Sequence, residues 1–370
     1  MYGVLRAVLP RPEPSFHTSE PARPERGVWR LKSPENPSIG RLPIRIINMR
    51  RSKEPLGADA VSRDAWKGRD VISILDFSRS ELESLFDTAD QFVGPPKPRK
   101  DLADQIVATA FFEPSTRTRL SFTTAALRLG AKVVDLSPDV SSILKGESLH
   151  DTTMMLEGYS DLIVMRHPSE GAALLAAELS SVPVVNGGDG SQHHPSQAML
   201  DLFTVRRLKG RIGGLTYAVL GDNRYARSAT SFLYGLTKFK PKMVYVVSPE
   251  TLRPRDEITK RLRGLGLRFE VRSDLEQVIG RVDVLYVTRI QKERFPDPNE
   301  YEKVKGSYKL TKDVLSKGRT GLIVLHPLPR STELPYEIDS SKSAAYMTQA
   351  HLGVPLRMAL LLKVLRGGRS

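Results

Sequence analysis

The sequence predicts an α/β protein of two domains, each built on a parallel sheet. Three observations lead there. The chain has 370 residues, more than one compact core usually organises. From Val71 onward, short apolar runs alternate with amphipathic helical patterns, and after a long helix near 195–208 the alternation resumes. Such repetition is the mark of parallel strands joined by helices. A closing stretch, roughly Tyr346 to Arg366, is too apolar for solvent and must dock on the body.

Taken in order, residues 1–66 come first, with eight prolines before position 50 and no sustained period of 2 or 3.6. They are expected to form a disordered or loosely attached extension. The apolar stretch within Met1–Pro10 is too weak for a signal peptide, and Glu13, Glu20 and Glu25 count against a transit peptide. Translation from Met49 would instead make the upstream residues an artefact. The sequence leaves these alternatives open. Ser78-Arg79-Ser80-Glu81 then reads as a capping box, opening a helix to about Phe92. Strands are expected near 106–112, 132–136, 161–165 and 183–185, and after the helix at 195–208 near 215–220, 243–248, 267–272, 283–287 and 321–325.

Composition narrows the class. No stretch approaches the ~20 uninterrupted apolar residues of a membrane-spanning helix. The formal charge is +14, of which residues 1–70 supply +6 from fourteen Lys/Arg against eight Asp/Glu. The remainder is spread thinly, without the basic tracts of a nucleic-acid arm, and suits anionic small substrates equally well. There are no cysteines, so disulfides, thiolate catalysis and cysteine zinc sites are excluded for this chain. Five Asn and seven Gln are few beside 56 Lys/Arg, a balance that high growth temperature favours.

In parallel sheets ligands sit at the carboxyl ends of strands, and the strand ends carry a consistent chemistry. The first ends in Glu113-Pro-Ser-Thr-Arg-Thr-Arg119, the third in Arg166-His-Pro168, the fourth in Asn186-Gly-Gly-Asp-Gly190 and on to His193-His-Pro-Ser-Gln197. In the second half, Leu220 leads into Gly221-Asp-Asn-Arg-Tyr-Ala-Arg227, and later strands end in Thr288-Arg-Ile-Gln291 and His326-Pro-Leu-Pro-Arg330. Hydroxyls and guanidinium forks at a helix start suit a phosphate dianion. Alone, the 113–119 stretch reads equally well as a helix capped by Ser115 or Thr116. No pair of carboxylates and no nucleophile–base couple recurs, which suits anions held and polarised in place. His193-His194 beside Asp189 invites a metal, but no thiol or His-x-x-x-His spacing completes a site, and His193 is expected to be exposed. Gly187, Gly188 and Gly190 lack the spacing of a dinucleotide fingerprint and are expected to form a tight turn that brings backbone close to a ligand.

From about Trp66 to its end the chain closely resembles the catalytic chain of the aspartate carbamoyltransferase family. The resemblance rests on Pro114–Arg119, Lys145-Gly-Glu147, Met165–Pro168, Gly187–Gly190 through His194–Gln197, Arg289–Arg294 and His326–Arg330, in that order. It implies two parallel-sheet α/β domains of the aspartate/ornithine carbamoyltransferase type. Residues 67–200, completed by the helix 346–366, would bind carbamoyl phosphate, and 201–345 would bind L-aspartate. The implied reaction is transfer of the carbamoyl group to the aspartate amine, with release of phosphate, in de novo pyrimidine synthesis.

Carried over by position, the resemblance implies that Ser115, Thr116, Arg117 and Thr118 hold the phosphate. Arg166 would reach both phosphate and carbonyl, and His194 would join Thr118 and Arg166 in an oxyanion hole. Gln197 would accept from the carbamoyl amide. The carbonyls of Pro327 and Leu328 would accept from that amide or the incoming amine, with Pro329 stiffening the turn. Arg227 and Arg289 would take the two aspartate carboxylates, with Gln291 on the same loop. Lys145, with Ser141 or Ser142, would reach into a neighbouring subunit's site in a homotrimer. No cofactor or metal is implied, nor a nucleic-acid or membrane partner. Whether a regulatory chain binds is left open. A cytoplasmic location is expected, with organellar targeting by the extension left open. An ornithine-using relative typically carries cysteine in the motif matching 326–330, where this chain has proline at 327.

Overall fold

Hydrophobic alternation translates into two parallel sheets. The computed structural model describes residues 66–291, 295 and 297–367. The expected N-terminal extension therefore lies outside the described residues up to position 65. Trp66, its last residue, is 4% exposed and stacks on Phe77 with ring centroids 4.8 Å apart. Helix α1 (Arg79–Asp90) opens with the expected capping box, Ser78 and Glu81 exchanging side-chain and backbone hydrogen bonds. There follow β1 (Ile106–Phe111), α2 (Thr116–Arg128), β2 (Lys132–Leu136), α3 (Leu149–Tyr159), β3 (Leu162–His167), α4 (Ala172–Leu179), β4 (Val184–Asp189) and α5 (Pro195–Lys209). The second series is β5 (Thr216–Leu220), α6 (Arg227–Leu236), β6 (Met243–Val247), α7 (Asp256–Gly264), β7 (Phe269–Arg272), β8 (Val284–Val287), α8 (Pro298–Val304), α9 (Lys312–Ser316), β9 (Ile323–Leu325) and α10 (Tyr346–Arg366).

The first sheet has order β2-β1-β3-β4 and the second β7-β6-β5-β8-β9, all pairs parallel. Two strands run further than the sequence predicts. Strand β3 continues through Arg166 and His167, and β4 through Asn186–Asp189, because their backbones keep pairing past Met165 and Asn186, with His167 opposite Asp189. Arg166 thus stands on a strand and not on a loop.

Helix α10 packs on α1, α2 and α5, returning the chain end to the first sheet. Its Leu360 and Leu361 are fully buried, each worth about 1.5–3 kcal/mol of transfer from water. One apolar core runs from Val107 and Phe122 through Phe203 and Leu360 to Phe232 and Tyr286, so it serves both sheets. Edge strand β2 differs: none of its five residues is buried, and Val134 is 41% exposed.

Candidate active site

The phosphate-type stretch leaves β1 and enters α2 within a few residues. Ser115 occupies the N-cap position in extended backbone, but its side chain makes no capping bond. The helix does not use that hydroxyl, which favours a ligand over a mere cap. Thr116 and Arg117 are exposed, and Thr118 is buried. Among the described residues the Arg117 guanidinium makes no hydrogen bond or ion pair. Its surroundings, and then the charge of Arg289, hold its pKa below the usual arginine value.

Behind it lies a buried group of opposite character. Arg166 Nε donates to Glu113 Oε1 at 2.8 Å, and its Nη1 lies 3.4 Å from the Gly187 carbonyl. Arg227, at the first turn of α6 and 5% exposed, donates to the same Glu113 oxygen and, at 2.8 Å, to the Gly190 carbonyl. One carboxylate oxygen thereby joins strand-end segments of both sheets. The glycines serve this packing. A Cβ on Gly188 would lie 2.8 Å from Arg227 Cζ, and one on Gly190 would strike Glu170. At these two positions the close approach expected of a ligand is made by the protein's own side chains.

His194 is the N-cap residue of α5, its backbone N–H donating to Ser231 Oγ at 2.9 Å. Its Nε2 lies 3.4 Å from Thr118 Oγ1, while its Nδ1 is buried without a hydrogen-bond partner. Burial, then the charges of Arg166, Arg227 and Arg357, hold its pKa well below the usual value. A neutral imidazole among arginines can donate one hydrogen bond to a developing oxyanion. Gln197, 8% exposed, donates from Nε2 to Asp201 Oδ1 at 2.7 Å, leaving its Oε1 as the acceptor.

The second sheet contributes from adjacent strands, β5 and β8. Asp222, which follows β5, is pushed up to about 6 by burial, while backbone N–H groups of Tyr225, Arg224 and Gln291 pull the other way. Arg289, just beyond β8, acts electrostatically on Asp222, Arg117 and His326. The rest of that stretch, Lys292 to Arg294, lies outside the described residues. In the loop after β9, His326 Nδ1 accepts from Leu328 N–H at 2.8 Å, and its Nε2 faces Glu333 Oε1 at 3.0 Å. Leu328 has φ 57° and precedes a cis bond to Pro329.

Ser141 and Lys145 are not brought to this group within the chain. Lys145 ends the second of two short 3-10 turns, Pro138–Val140 and Ser142–Lys145, and Ser141 lies between them, its Oγ donating to Pro138 O at 3.0 Å. Lys145 is exposed, as are Val140 at 85% and Leu144 at 71%. His193, expected to be exposed, is partly buried: it packs beside Tyr234, with Nδ1 3.5 Å from Ser73 Oγ. Among the described residues no group of three His, Asp or Glu could hold a metal ion. Among those residues no helix is long and apolar enough to cross a membrane.

The sequence reading gave no role to Glu113, Asp201, Glu333 or Gln349. Glu113 carried a usable signal, as the one acid in a run of strand-end cations. Asp201 and Gln349 act across long separations that no local pattern reveals, whereas Glu333 meets His326 within the same loop.

Fold and site together define a two-domain enzyme that sets arginines and a neutral histidine at the strand ends of two parallel sheets. The carbamoyl-phosphate-binding domain of aspartate/ornithine carbamoyltransferases matches residues 69–207, and the aspartate/ornithine-binding domain matches 213–364. The chain belongs to this family and is a carbamoyltransferase. It is 57% identical over 305 residues to the aspartate carbamoyltransferase catalytic subunit of Hyperthermus butylicus, covering 81% of this chain and 97% of that one. The corresponding subunit of Thermofilum pendens is 55% identical over 302 residues, covering 81% and 96%. Among solved structures, Trypanosoma cruzi aspartate transcarbamoylase in complex with carbamoyl phosphate and aspartate superposes with TM-score 0.79 at 34% identity, covering 82% of this chain and 98% of that one. The M. jannaschii catalytic subunit gives 0.73 at 46% identity, covering 80% and 98%.

Proposed function

We propose that this chain transfers the carbamoyl group of carbamoyl phosphate to the amine of L-aspartate, giving N-carbamoyl-L-aspartate and phosphate in de novo pyrimidine synthesis. The observation that carries the reading is neutral His194 held among the charges of Arg166, Arg227 and Arg357, with Arg117 and Arg289 acting on each other and on His326. Ser115, Thr116, Arg117 and Thr118 take the phosphate, each charge-assisted hydrogen bond worth about 1.5–3 kcal/mol. Arg166, Thr118 and His194 polarise the carbonyl, and stabilise the oxyanion formed as the amine attacks. Gln197 Oε1 and the carbonyls near Leu328 and Pro329 accept from the carbamoyl N–H groups. Arg227, Arg289 and Gln291 take the aspartate. The first sheet with α10 is the carbamoyl phosphate domain, and the second sheet is the aspartate domain.

The site is completed by Ser141 and Lys145 of a neighbouring copy in a homotrimer. Support comes from the flank that carries them, where Leu120, Leu127, Val134, Val140, Leu144 and Met155 are all exposed, an apolar surface suited to another chain. Purified protein is assayed with carbamoyl phosphate and either aspartate or ornithine, with its mass in solution measured in parallel. Carbamoyl aspartate from a trimer is expected. A preference for ornithine, or no carbamoyl transfer at all, overturns the assignment, and a mass above the trimer reports a further chain.

A further inference from the structure

Asp201 lies on α5, fully buried, one helical turn beyond Gln197. Its Oδ1 accepts from Gln197 Nε2 at 2.7 Å and from Gln349 Nε2 of α10 at 2.6 Å, and its Oδ2 accepts from the Tyr286 hydroxyl of β8 at 2.8 Å. Gln349 in turn accepts, through Oε1, the backbone N–H of His326 at 2.8 Å. Oδ1 accepts both of these bonds, in the ionised acid and in one protonated on Oδ2 alike, so each glutamine meets it with its NH2 group. Each carbonyl is thereby turned the other way. That of Gln349 meets His326, and that of Gln197 is turned from the carboxylate toward the substrate.

We infer that Asp201 is a positioning residue for carbamoyl transfer, fixing through Gln197 and Gln349 which amide face and which backbone turn meet the carbamoyl NH2 group. The inference rests on the activity proposed above. A carbamoyl NH2 has only donors to offer, so a Gln197 amide presented NH2-first would leave donor facing donor. Asp201 prevents that flip from one side of the site. On the other side it holds, through Gln349, the start of the 326–330 turn. The phosphate half of the substrate is gripped elsewhere, so the effect of Asp201 is specific to the carbamoyl half.

The test is a double-mutant cycle of Asp201→Leu and Gln197→Leu, read in kcat/KM for carbamoyl phosphate and in Kd for inorganic phosphate. Asp201→Leu is expected to lower kcat/KM by about 10- to 100-fold, the range for a misdirected buried polar group. The phosphate Kd stays within a factor of about two, because the phosphate loop is untouched. In the Gln197→Leu background the same change should add little, since coupled neighbours are non-additive. If Asp201→Leu does not fold, Asp201→Leu with Gln349→Leu replaces it in the cycle, removing an orphaned donor along with its acceptor. Additive losses, or a parallel loss of phosphate binding, mean that Asp201 merely supports the fold and overturn the inference. An inactive wild type overturns the activity and this role with it. An active wild type with additive losses overturns this role alone.

Discussion

Two arginine pairs span the same cleft and are prepared in opposite ways. Arg166 and Arg227 share Glu113 Oε1 and are largely buried, so their charges are partly neutralised within the protein. Arg117 and Arg289 act on each other as like charges, and Arg117 is exposed. Each pair takes one member from the strand ends of each sheet. The difference teaches where binding energy is held. A buried cation needs a partner at all times, since an unpaired one is severely destabilising. Like charges set near each other, one of them exposed, gain when a dianion arrives between them. The first pair ties strand-end segments of the two sheets through Glu113, and in the proposed reaction the second pair meets the charge of the substrate.

The largest effect should follow from removing Arg117 from the second pair. Arg117→Ala removes about two charge-assisted hydrogen bonds from the phosphate and is expected to reduce kcat/KM by about 10²–10⁴-fold. Lys145→Ala should be similarly damaging if Lys145 completes a neighbour's site. Mixing the two inactive chains after dissociation then restores activity, because any mixed trimer holds one junction with both residues intact. About one-third of the wild-type value per mixed trimer is expected. No recovery, with subunit exchange confirmed by mass, shows that each site is built within one chain.

Breaking the buried pair should cost less. Glu113→Gln keeps the shape and one acceptor oxygen but removes the charge that both arginines share. A loss of about 10- to 100-fold in kcat/KM is expected, from misplacement of Arg166 and Arg227. The thermal midpoint should also fall, because two buried guanidinium groups lose their counter-charge. An unchanged midpoint would mean that Glu113 does not hold the sheets together.

Glu113 also marks where sequence reading stops. The existence and order of the strands, the capping box at Ser78 and the bounds of α10 were legible because they depend on residues within one helical turn or one strand, whereas the extra pairing that lengthens β3 and β4 depends on their neighbours in the sheet. The cationic strand ends were legible for the same reason. The sharing of one carboxylate by Arg166 and Arg227, 53 and 114 residues away, depends on how two sheets meet. So does the link from Asp201 to Gln349 across 148 residues. The glycines at 188 and 190 were read as making room for a ligand, yet the room is taken by Arg227 and Glu170. A sequence shows that space is needed but not what fills it.

A smaller effect separates the two second-sheet arginines. Arg289→Ala should raise KM for aspartate by about 10-fold or more, the value of one charge-assisted contact, while the Kd of carbamoyl phosphate changes little. Arg227→Ala should weaken both substrates, since it also releases Glu113 onto Arg166. Equilibrium titration of each ligand reads this directly. Equal profiles for the two variants would erase the distinction between the pairs.

The smallest effect is a change in the pH dependence of stability, and its sign differs between two buried groups. His194 has a folded pKa well below the usual 6.5. Between those values the unfolded chain binds more protons than the native one, so stability from keeping His194 neutral is complete above about pH 6.5 and declines as pH falls. Asp201 is raised from 3.8 to about 7 by burial. Over that interval the native protein binds more protons, so its term moves the other way and stability grows as pH falls from about 7 toward 4. Each group sets a slope of at most about 1.4 kcal/mol per pH unit. Urea unfolding at pH 7.5 and 5.5 reads the difference. Relative to wild type, His194→Gln should lose less stability on acidification and Asp201→Asn should lose more, by about 1 kcal/mol each. His167, His193 and His326 are also lowered and remain in both variants, so their contribution cancels in the comparison. Equal pH slopes for the two variants would mean that neither group titrates as its burial among arginines and amides requires.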